Sequence, residues 1–485
     1  MTASRQRDRD AFPDPPVPLA VDLDGTLVST DLLVESVLLL ARKRPLGLLQ
    51  LPLWLRQGKA HLKRRIAEEV VPDVDALPYN ADLITRLEEE RRRGRTLVLA
   101  TASDGIVARA VAGKLGLFDA VLASDGVTNL RGEQKRAALV EAYGDKGFDY
   151  AANSRRDIPV WRSARRALLV HPAHGLSSAV AGLAEVDTVY ERTGSTFRAL
   201  VETVRPHHWL KNMLVFVPLA ASHDLLDMTL IMQVLLAFIS FSLCASSVYV
   251  INDLLDLPSD RHHPHKKDRV LASGRLPLLH AAGLIPLLLL CSAGIGLLLP
   301  PAFLGILAFY FVLMLAYSQR LKDVAILDVL VLSSGYTLRV VAGAAAIRIE
   351  PSIWLMTFCG FLFFSLALTK RYAELVTMRG VEGKEAHARA YLLEDAELIA
   401  ALGVASGHVA ALVLALYVNS TIARNFYSRP ELIWLACGLL LYWISYLWLM
   451  AHRGRLHDDP LVFAVRNRTS LALMILMAVI LMVAI

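Results

Sequence analysis

The chain has 485 residues, of which 55% are hydrophobic and 20% are charged, and its formal net charge is +6. A mean hydropathy of +0.45 is too apolar for one soluble globule, and the charged fraction is too high for membrane spans alone. This composition predicts two parts in different solvents. The positive charge does not indicate a nucleic-acid partner, because the cytoplasmic loops of a membrane protein account for it.

The first 16 residues form a polar, proline-rich tail without an apolar stretch that could act as a secretion signal. We therefore expect the N-terminal part to stay in the cytoplasm. All four cysteines fall within apolar segments, which argues against a disulfide framework or a cysteine metal site. They are Cys244, Cys291, Cys359 and Cys437.

An α/β domain is predicted next. Five short apolar or β-branched runs alternate with helical patterns, at 19–22, 96–100, 120–124, 148–153 and 167–170. This alternation predicts a parallel, Rossmann-like sheet. Ligands of such sheets bind at the carboxyl ends of the strands, where Asp22 and Asp24 follow the first strand and Thr101 the second.

The DLDGT run that starts at Asp22, followed in order by Thr101, Lys135 and Asp157, resembles the haloacid dehalogenase-like (HAD) phosphatase superfamily over about residues 17–185. The resemblance implies that Asp22 is the nucleophile that forms an aspartyl-phosphate and that Asp24 is the general acid and base. It implies that Thr101 and Lys135 hold the phosphoryl oxygens. Mg²⁺ would be held by Asp22, Asp24 and Asp157, and its charge would reduce their repulsion of a phosphate.

One residue departs from the family's pattern. Asn153 stands where the fourth motif usually begins with aspartate. An asparagine can still bind Mg²⁺ through its amide oxygen, but it brings no charge. An active phosphatase is our interpretation, and the alternative is a degenerate domain that binds a phosphorylated ligand or serves as a scaffold.

Residues 31–95 form a helical insertion in the position of a small cap. Its apolar stretch at 32–55 is interrupted by Glu35, Arg42, Lys43 and Arg44, so it does not predict a membrane span. We expect the stretch to form the core of the cap. The alternative is a surface that contacts the membrane and admits lipid substrates. Residues 186–204 are predicted to be a linker.

The remaining chain, 205–485, predicts an all-α membrane bundle of about nine helices. The candidate spans are 209–222, 229–251, 276–299, 302–318, 324–346, 352–369, 396–418, 432–451 and 469–485. With a cytoplasmic N-terminus, the four inner loops hold sixteen lysines and arginines and the outer loops hold three. This asymmetry follows the positive-inside tendency and predicts a multi-pass protein of the inner (plasma) membrane, with its active sites on the cytoplasmic side.

An acidic motif follows the second span. Asp253, Asp256 and Asp260 are spaced by three and four residues, which would place them on one face of a helix, with Pro258 expected to kink it. Three carboxylates at a span's end repel one another, and Mg²⁺ bridging them to a diphosphate would offset that repulsion. Lys266 and Arg269 would then bind the outer phosphate of that diphosphate.

This NDxxDxxxD motif, with the RPHHWLKN run at 205–212, resembles the UbiA family of intramembrane prenyltransferases over about residues 200–485. The second motif region of that family reads YSQRLKD at 317–323 here, without a dense acidic cluster. SGYTLR at 334–339 and KRYAE at 370–374 follow. Together these runs resemble the branch that makes decaprenyl-phosphate phosphoribose from phosphoribosyl diphosphate.

The resemblance implies a polyprenyl phosphate acceptor, which is anionic and needs cations in its pocket. Mg²⁺ bound by Asp253, Asp256 and Asp260 would stabilise diphosphate as the leaving group. The predicted substrate-binding residues of this part are Arg205, Lys211, Asn252, Lys266, Arg269, Tyr317, Lys322, Arg339, Lys370 and Arg371.

These predictions combine into one hypothesis, in which the membrane part forms polyprenyl-phosphoryl-phosphoribose and the HAD domain removes its terminal phosphate. One alternative is a prenyltransferase that acts on an aromatic or other small acceptor. Another is a lipid-phosphate binding or regulatory protein whose soluble domain is inactive. The sequence leaves the lipid length, the pathway and the oligomeric state open.

Overall fold

The computed structural model describes residues 17–191, 194–222, 224, 226–263, 266–378, 390–456 and 459–484. The chain divides into two compact units. The first contains the residues up to Thr203 together with Asp253–Gly283, and the second contains Val204–Asn252 together with Leu284–Ile485. The long segment 253–283, which carries the acidic motif, therefore belongs to the first unit.

A six-stranded parallel sheet forms the centre of the first unit, with the strand order β3-β2-β1-β4-β5-β6. This order is that of a doubly wound nucleotide-binding sheet. The strands are β1 (Leu19–Val21), β2 (Leu97–Asp104), β3 (Ala120–Ser124), β4 (Asp149–Ala152), β5 (Arg166–Val170) and β6 (Glu185–Tyr190).

Both faces of this sheet are covered, as parallel sheets require. In β1, Leu19 and Val21 pack into the core on one face, while Ala20 between them packs into the core on the other. The flanking helices are α4 (Ala81–Arg92), α5 (Gly105–Leu115), α6 (Glu133–Tyr143), α7 (Ile158–Ser163) and α8 (Leu176–Ala181). The predicted α/β class is confirmed by this parallel sheet with helices on both faces.

The predicted end of this domain at 185 is too early. Strand β6 pairs in register with β5, and helix α9 (Thr196–Val204) follows, so most of the predicted linker is regular structure. Along β6, exposed and half-buried residues alternate, as on an edge strand that no helix covers fully. Its composition therefore lacks the apolar run that revealed the other five strands.

The predicted cap is helical, as expected. It consists of α1 (Leu32–Lys43), a 3-10 helix (Pro45–Gln50), α2 (Leu51–Arg56), α3 (Lys59–Glu69) and a short 3-10 turn (Val74–Ala76). Leu40, Trp54, Ile66 and Val70 form its small core. Helix α1 begins at Asp31, whose side chain accepts hydrogen bonds from the Leu33 and Val34 amides and so caps it.

The second unit is helical. Its elements, with the segment that lies in the first unit, are a 3-10 helix (Pro206–Phe216), α10 (Val217–Ala221), α11 (Met228–Leu255), α12 (Leu257–His262), α13 (Leu278–Gly296), α14 (Pro301–Gln319), α15 (Leu327–Ala346), α16 (Ile353–Met378), α17 (Ala396–Val418), α18 (Thr421–Phe426), α19 (Ile433–His452), α20 (Pro460–Arg466) and α21 (Arg468–Ala484).

Among the described residues, seven helices are long and apolar enough to cross a membrane. Helices α20 and α21, bent by 86° at their junction, make an eighth span if they are counted together. This agrees with a prediction of about nine. The difference lies at 209–222, where Pro206–Phe216 and α10 form two short helices rather than one long one, with prolines in the first turn of each.

Candidate active sites

The carboxyl edge of the sheet brings together the residues that the first resemblance selected. Asp22 directly follows β1, Thr101 lies in the second half of β2, and Asn153 directly follows β4. These three strands are neighbours in the sheet. Parallel strands deliver their carboxyl ends to one edge, so distant parts of the sequence meet there.

A buried lysine links two carboxylates at this edge. Lys135, from the first turn of α6, donates hydrogen bonds to Asp22 Oδ1 at 2.7 Å and to Asp157 Oδ1 at 3.4 Å. The Tyr150 hydroxyl lies 2.8 Å from the same Nζ atom and donates to Asp157 at 3.0 Å. Ser154 donates a further bond to Asp157 at 2.7 Å. The structure therefore brings Lys135, Asp22 and Asp157 together, and the role of Lys135 in holding a phosphoryl oxygen stays a prediction.

The second aspartate of the motif is fixed from two sides. Asp24 Oδ1 accepts from the Leu32 amide at 2.8 Å, and Oδ2 accepts from the Ser103 hydroxyl at 2.6 Å. Thr101 in turn accepts from the Ser103 amide at 3.0 Å. Because Leu32 opens α1, the orientation of Asp24 depends on the position of the cap.

Burial changes the ionisation of both carboxyl groups. Burial raises the pKa of Asp22 to about 7, with Lys135 opposing the shift and Asp157 adding to it. Burial likewise raises the pKa of Asp24 to about 6, reinforced by Asp31 and opposed by its bond from Ser103. A general acid and base that titrates near neutral pH suits the role predicted for Asp24.

Two features of this site could not be predicted from the sequence motif. Lys63, from α3 of the cap, donates to the Ala102 carbonyl at 2.6 Å and to Asn129 at 2.9 Å, which places a cation beside the site. Gly25 has a φ of +74°, and a Cβ there would lie 2.2 Å from the Asn153 amide nitrogen. The Asn153 side chain therefore packs directly against the motif backbone.

The donor set fits Mg²⁺ in its chemistry. Asp22, Asp24 and Asp157 supply carboxylate oxygens and Asn153 an amide oxygen, which are the ligand types that Mg²⁺ accepts. Lys135 is the cation bonded to this group, so a divalent ion would balance its remaining charge. In the described part of the chain, however, no three histidine, cysteine or acidic side chains already stand in metal-binding geometry.

The raised pKa values predict a metal-dependent stability. Both carboxyl groups start from a pKa of 3.8 and titrate near 6–7 when folded. The folded state therefore holds more protons between these values, and its free energy of unfolding falls as the pH rises through this window. Without metal, we expect amide-exchange protection of β1 and β4, corrected for intrinsic rates, to be lower at pH 8 than at pH 5.5.

Mg²⁺ should restore that protection at pH 8 and change little at pH 5.5, because it offsets only the ionised form. Asp22→Asn removes one titrating group and should reduce both responses. Equal protection at the two pH values in metal-free buffer would contradict the prediction.

The acidic motif of the segment 253–283 forms a second site, and its helix is broken. Helix α11 ends at Leu255, α12 begins at Leu257, and Asp256 lies between them, two residues before Pro258. The helix is therefore interrupted beside Pro258, where the sequence predicted a kink. Asp253 and Asp260 nevertheless lie against the same cation, because Arg269 Nη1 is 2.6 Å from Asp260 and 3.5 Å from Asp253.

The segment that carries this motif also contacts the cap within the first unit. Arg261, next to Asp260, forms a bidentate ion pair with Glu35 of α1, with nitrogen–oxygen distances of 2.9 and 2.5 Å. His262 lies 2.7 Å from Asp73. Both side chains of the Arg261–Glu35 pair are buried. A buried, hydrogen-bonded pair of this kind fixes the register of the segment against α1.

In the second unit, cations gather around one carboxylate. Asp459 accepts from Lys211 at 2.6 Å and from the Tyr336 hydroxyl at 3.0 Å, and Lys370 lies 3.8 Å away. Burial alone would raise the pKa of Asp459, but the two ammonium groups hold it below its usual value. Sequence reasoning selected Lys211 and Lys370 and missed Asp459. The sequence feature that could have identified Asp459 is its position before Pro460 at the start of a helix, since Asp459 caps α20.

Arg339 lies beside this cluster and has only neutral partners among the described residues. It donates to Asn212 Oδ1 at 2.7 Å, to the Gly335 carbonyl, and to the Tyr310 hydroxyl at 3.2 Å. Its guanidinium also lies 5.2–5.8 Å from the ring centroids of three aromatic residues, Phe241, Tyr310 and Tyr336. A buried cation without a carboxylate partner is costly unless an anion binds beside it.

Arg371 has different surroundings. Its side chain and that of Asp328 are fully buried, and the two form an ion pair. Arg371 also donates to Glu374 and, at 3.0 Å, to the Tyr317 hydroxyl, while Tyr391 donates to Asp328. Its charge is therefore matched inside the protein. These contacts favour a structural role for Arg371, and its predicted role in binding the lipid phosphate stays a prediction.

The other predicted residues lie on separate elements. Arg205 has a left-handed φ of +55° just before Pro206, and Asn252 lies in the last turn of α11. Lys266 lies in the loop after α12 and is half-buried. Lys322 is buried in the short 3-10 turn Leu321–Asp323. Their predicted roles in substrate binding stay predictions.

Comparison with known proteins agrees with this architecture. The family model of the UbiA prenyltransferase family matches residues 213–484. The uncharacterized protein y4nM of Sinorhizobium fredii is 35% identical over 96% of this chain and 90% of its own length. The nodulation protein NoeC of Azorhizobium caulinodans is 35% identical over 57% of this chain and 89% of its own.

A decaprenyl-phosphate phosphoribosyltransferase of Mycolicibacterium smegmatis is 40% identical over 182 residues, which are 36% of this chain and 57% of that protein. This match covers just over half of the relative, whereas the family model covers more than half of the chain. The y4nM protein matches across both units. The chain therefore belongs to the UbiA prenyltransferase family.

Proposed function

We propose that the membrane part transfers 5-phosphoribosyl from phosphoribosyl diphosphate to a polyprenyl phosphate. The observation that carries the proposal is the uncompensated positive charge in the second unit. Lys211 and Lys370 both lie against the carboxylate of Asp459, with Glu374 also near Lys370, and among the described residues Arg339 has only neutral partners. A lipid phosphate would supply the missing negative charge, and bidentate binding by a guanidinium suits a phosphate.

An aromatic acceptor would leave this charge unbalanced. The buried cations would then remain costly in every step of the reaction. The phosphoribosyltransferase relatives support the same choice, although they are matched over only part of their length. In this proposal the donor and the acceptor both carry phosphate groups, and the cationic side chains can bind them.

In the transfer, the bond between ribose C1 and the diphosphate oxygen breaks, and its electron pair leaves with diphosphate. A lipid phosphate oxygen forms the new bond to C1. Mg²⁺, when bound to Asp253, Asp256 and Asp260, would offset the charge of the diphosphate. Arg269 lies against Asp253 and Asp260, which supports our proposal that Arg269, together with Lys266, stabilises the departing diphosphate.

The product of this step carries a phosphomonoester, and we propose that the HAD-like domain removes it. The Asp22 carboxylate attacks phosphorus, and Asp24 gives its proton to the leaving ribose oxygen. The Asp24 carboxylate then accepts a proton from the water that hydrolyses the aspartyl-phosphate, releasing inorganic phosphate. Lys135 balances charge on the phosphoryl oxygens.

Both acidic motifs lie in the first unit, where Arg261 pairs with Glu35. This supports our expectation that both reactions occur on one side of the membrane. We infer that this is the cytoplasmic face of the inner membrane, from the distribution of lysine and arginine in the loops.

The test uses the full chain in detergent or nanodiscs with labelled phosphoribosyl diphosphate, decaprenyl phosphate and Mg²⁺. The parent should form the ribosyl lipid and inorganic phosphate, and Asp22→Asn should accumulate the phosphoribosyl lipid instead. If Asp22→Asn gives the parent's products, the domain is not the phosphatase of this sequence of steps. Consumption of a prenyl diphosphate without phosphoribosyl diphosphate would favour a prenyltransferase instead.

A further inference from the structure

The outer face of the cap combines exposed leucines with a block of positive charge. In the stretch from Pro45 to Arg56, Leu46 is 78% exposed, Leu49 74%, Leu53 59% and Leu55 49%. The opposite face of the same stretch is used inside the cap, where Trp54 packs against Leu40 and Ile66. The stretch is therefore apolar on two sides, and its own core explains only one of them.

The charge around these leucines is mostly positive, with Glu69 paired to Arg44 at 2.6 Å. From Ser36 to Ala67 the sequence contains eight lysines and arginines and neither aspartate nor glutamate. Arg42, Lys43, Arg44, Arg56 and Lys59 are exposed around the leucines. Exposed leucines within a cationic rim match a surface that is apolar inside and anionic outside.

We propose that this face, defined by Leu46, Leu49, Leu53 and Leu55 with the cationic rim just given, inserts into the surface of an anionic phospholipid bilayer. The leucines enter the boundary between headgroups and acyl chains, while the lysine and arginine stems extend toward the lipid phosphates. A bilayer always accompanies a chain with seven membrane-spanning helices. The cap face would also lie beside the phosphatase site, since Lys63 of α3 reaches that site.

A protein partner fits this face less well. Cores of protein interfaces are depleted in lysine, and a mostly cationic rim would need a partner with acidic groups around most of its edge. The bilayer supplies anionic charge continuously and apolar depth beneath it. The inference does not depend on the proposed reactions, because it concerns where the cap lies and not which phosphate it receives.

The test places a fluorescent label at single cysteines in the full chain, in a Cys291→Ala background because Cys291 is the exposed native cysteine. Leu49→Cys and Leu53→Cys report on the face, and Glu141→Cys, exposed on α6 of the same domain, is the matched control. The protein is placed in nanodiscs of phosphatidylglycerol or phosphatidylcholine that contain lipids with a bromine or nitroxide quencher.

We expect quenching by the lipids to be at least roughly threefold stronger at positions 49 and 53 than at 141 in phosphatidylglycerol. The difference should shrink in phosphatidylcholine, and Leu46→Ser should reduce quenching at position 49. Equal quenching at positions 49, 53 and 141 would overturn the proposal. A label at 49 that is shielded from water but not quenched by lipid would also overturn it, because a protein would then cover the face.

Discussion

Asp253→Asn is expected to lower the transferase rate by roughly 10²–10³-fold while leaving folding and membrane insertion intact. The substitution keeps the size and hydrogen-bonding capacity of the side chain and removes its charge. Asp253 is buried at the end of α11 and lies 3.5 Å from Arg269. Without its charge, the cation that offsets the diphosphate should bind more weakly, so the loss should be partly recovered at high Mg²⁺.

The measurement is the initial rate of label transfer from phosphoribosyl diphosphate into the lipid extract, over a series of Mg²⁺ concentrations. Asp268→Asn is the matched control, because Asp268 is exposed in the same segment and lies outside the acidic motif. Its rate and Mg²⁺ dependence should equal those of the parent. If the double variant Asp253→Ala/Asp256→Ala inserts and turns over as fast as the parent, the acidic motif is not the donor site.

The same substitution should have different effects at the two buried arginines: it should lower stability at Arg371 and transferase activity at Arg339. Arg371→Met leaves Asp328 buried without its ion-pair partner, which should lower the free energy of unfolding by about 3–5 kcal/mol. Arg339→Met removes a cation whose partners are neutral, so no carboxylate is left uncompensated. We expect Arg339→Met to fold at least as well as Arg371→Met and to lose transferase activity through weaker binding of the lipid phosphate.

The readouts separate stability from function. Thermal inactivation in detergent, followed by the recovery of monodisperse protein, reports on stability, and steady-state kinetics with varied polyprenyl phosphate reports on binding. For Arg339→Met we expect a rise in the KM for the lipid of about tenfold or more, which corresponds to one charge-assisted hydrogen bond. An unchanged KM together with a large loss of stability would mean that Arg339, too, has only a structural role.

The elements that show a clear local sequence pattern could be predicted from the sequence. β1, β2, β4 and β5 are largely buried and β3 is half-buried, and all five fall on apolar runs, so their positions could be predicted from composition. β6 could not, because it lies at a half-exposed edge. The break of the helix at Asp256 could be predicted in kind from Pro258, which lies two residues later in the first turn of α12.

The candidate site at the carboxyl edge of the sheet could be predicted in its order of residues, because each one follows a strand or lies in the first turn of a helix. Lys63 could not be predicted as part of the site, since it reaches the site from the cap and belongs to none of the sequence motifs. In the second unit, the cations at 211, 339 and 370 stood out in apolar surroundings. Which of these cations has an acidic partner could not be predicted, because Asp459, the carboxylate that lies against Lys211 and Lys370, is distant from both in the sequence.

The Lys211–Asp459 pair joins two residues that are 248 positions apart, near the two ends of the second unit. During synthesis, Lys211 emerges long before its carboxylate partner exists. The unit therefore cannot reach its final electrostatic balance until the segment before α20 has been made. A chain that stops short of Asp459 would retain every one of the seven long spans and still lack the neutralising group of its first buried lysine, so late truncations should be recognised by quality control as incompletely assembled.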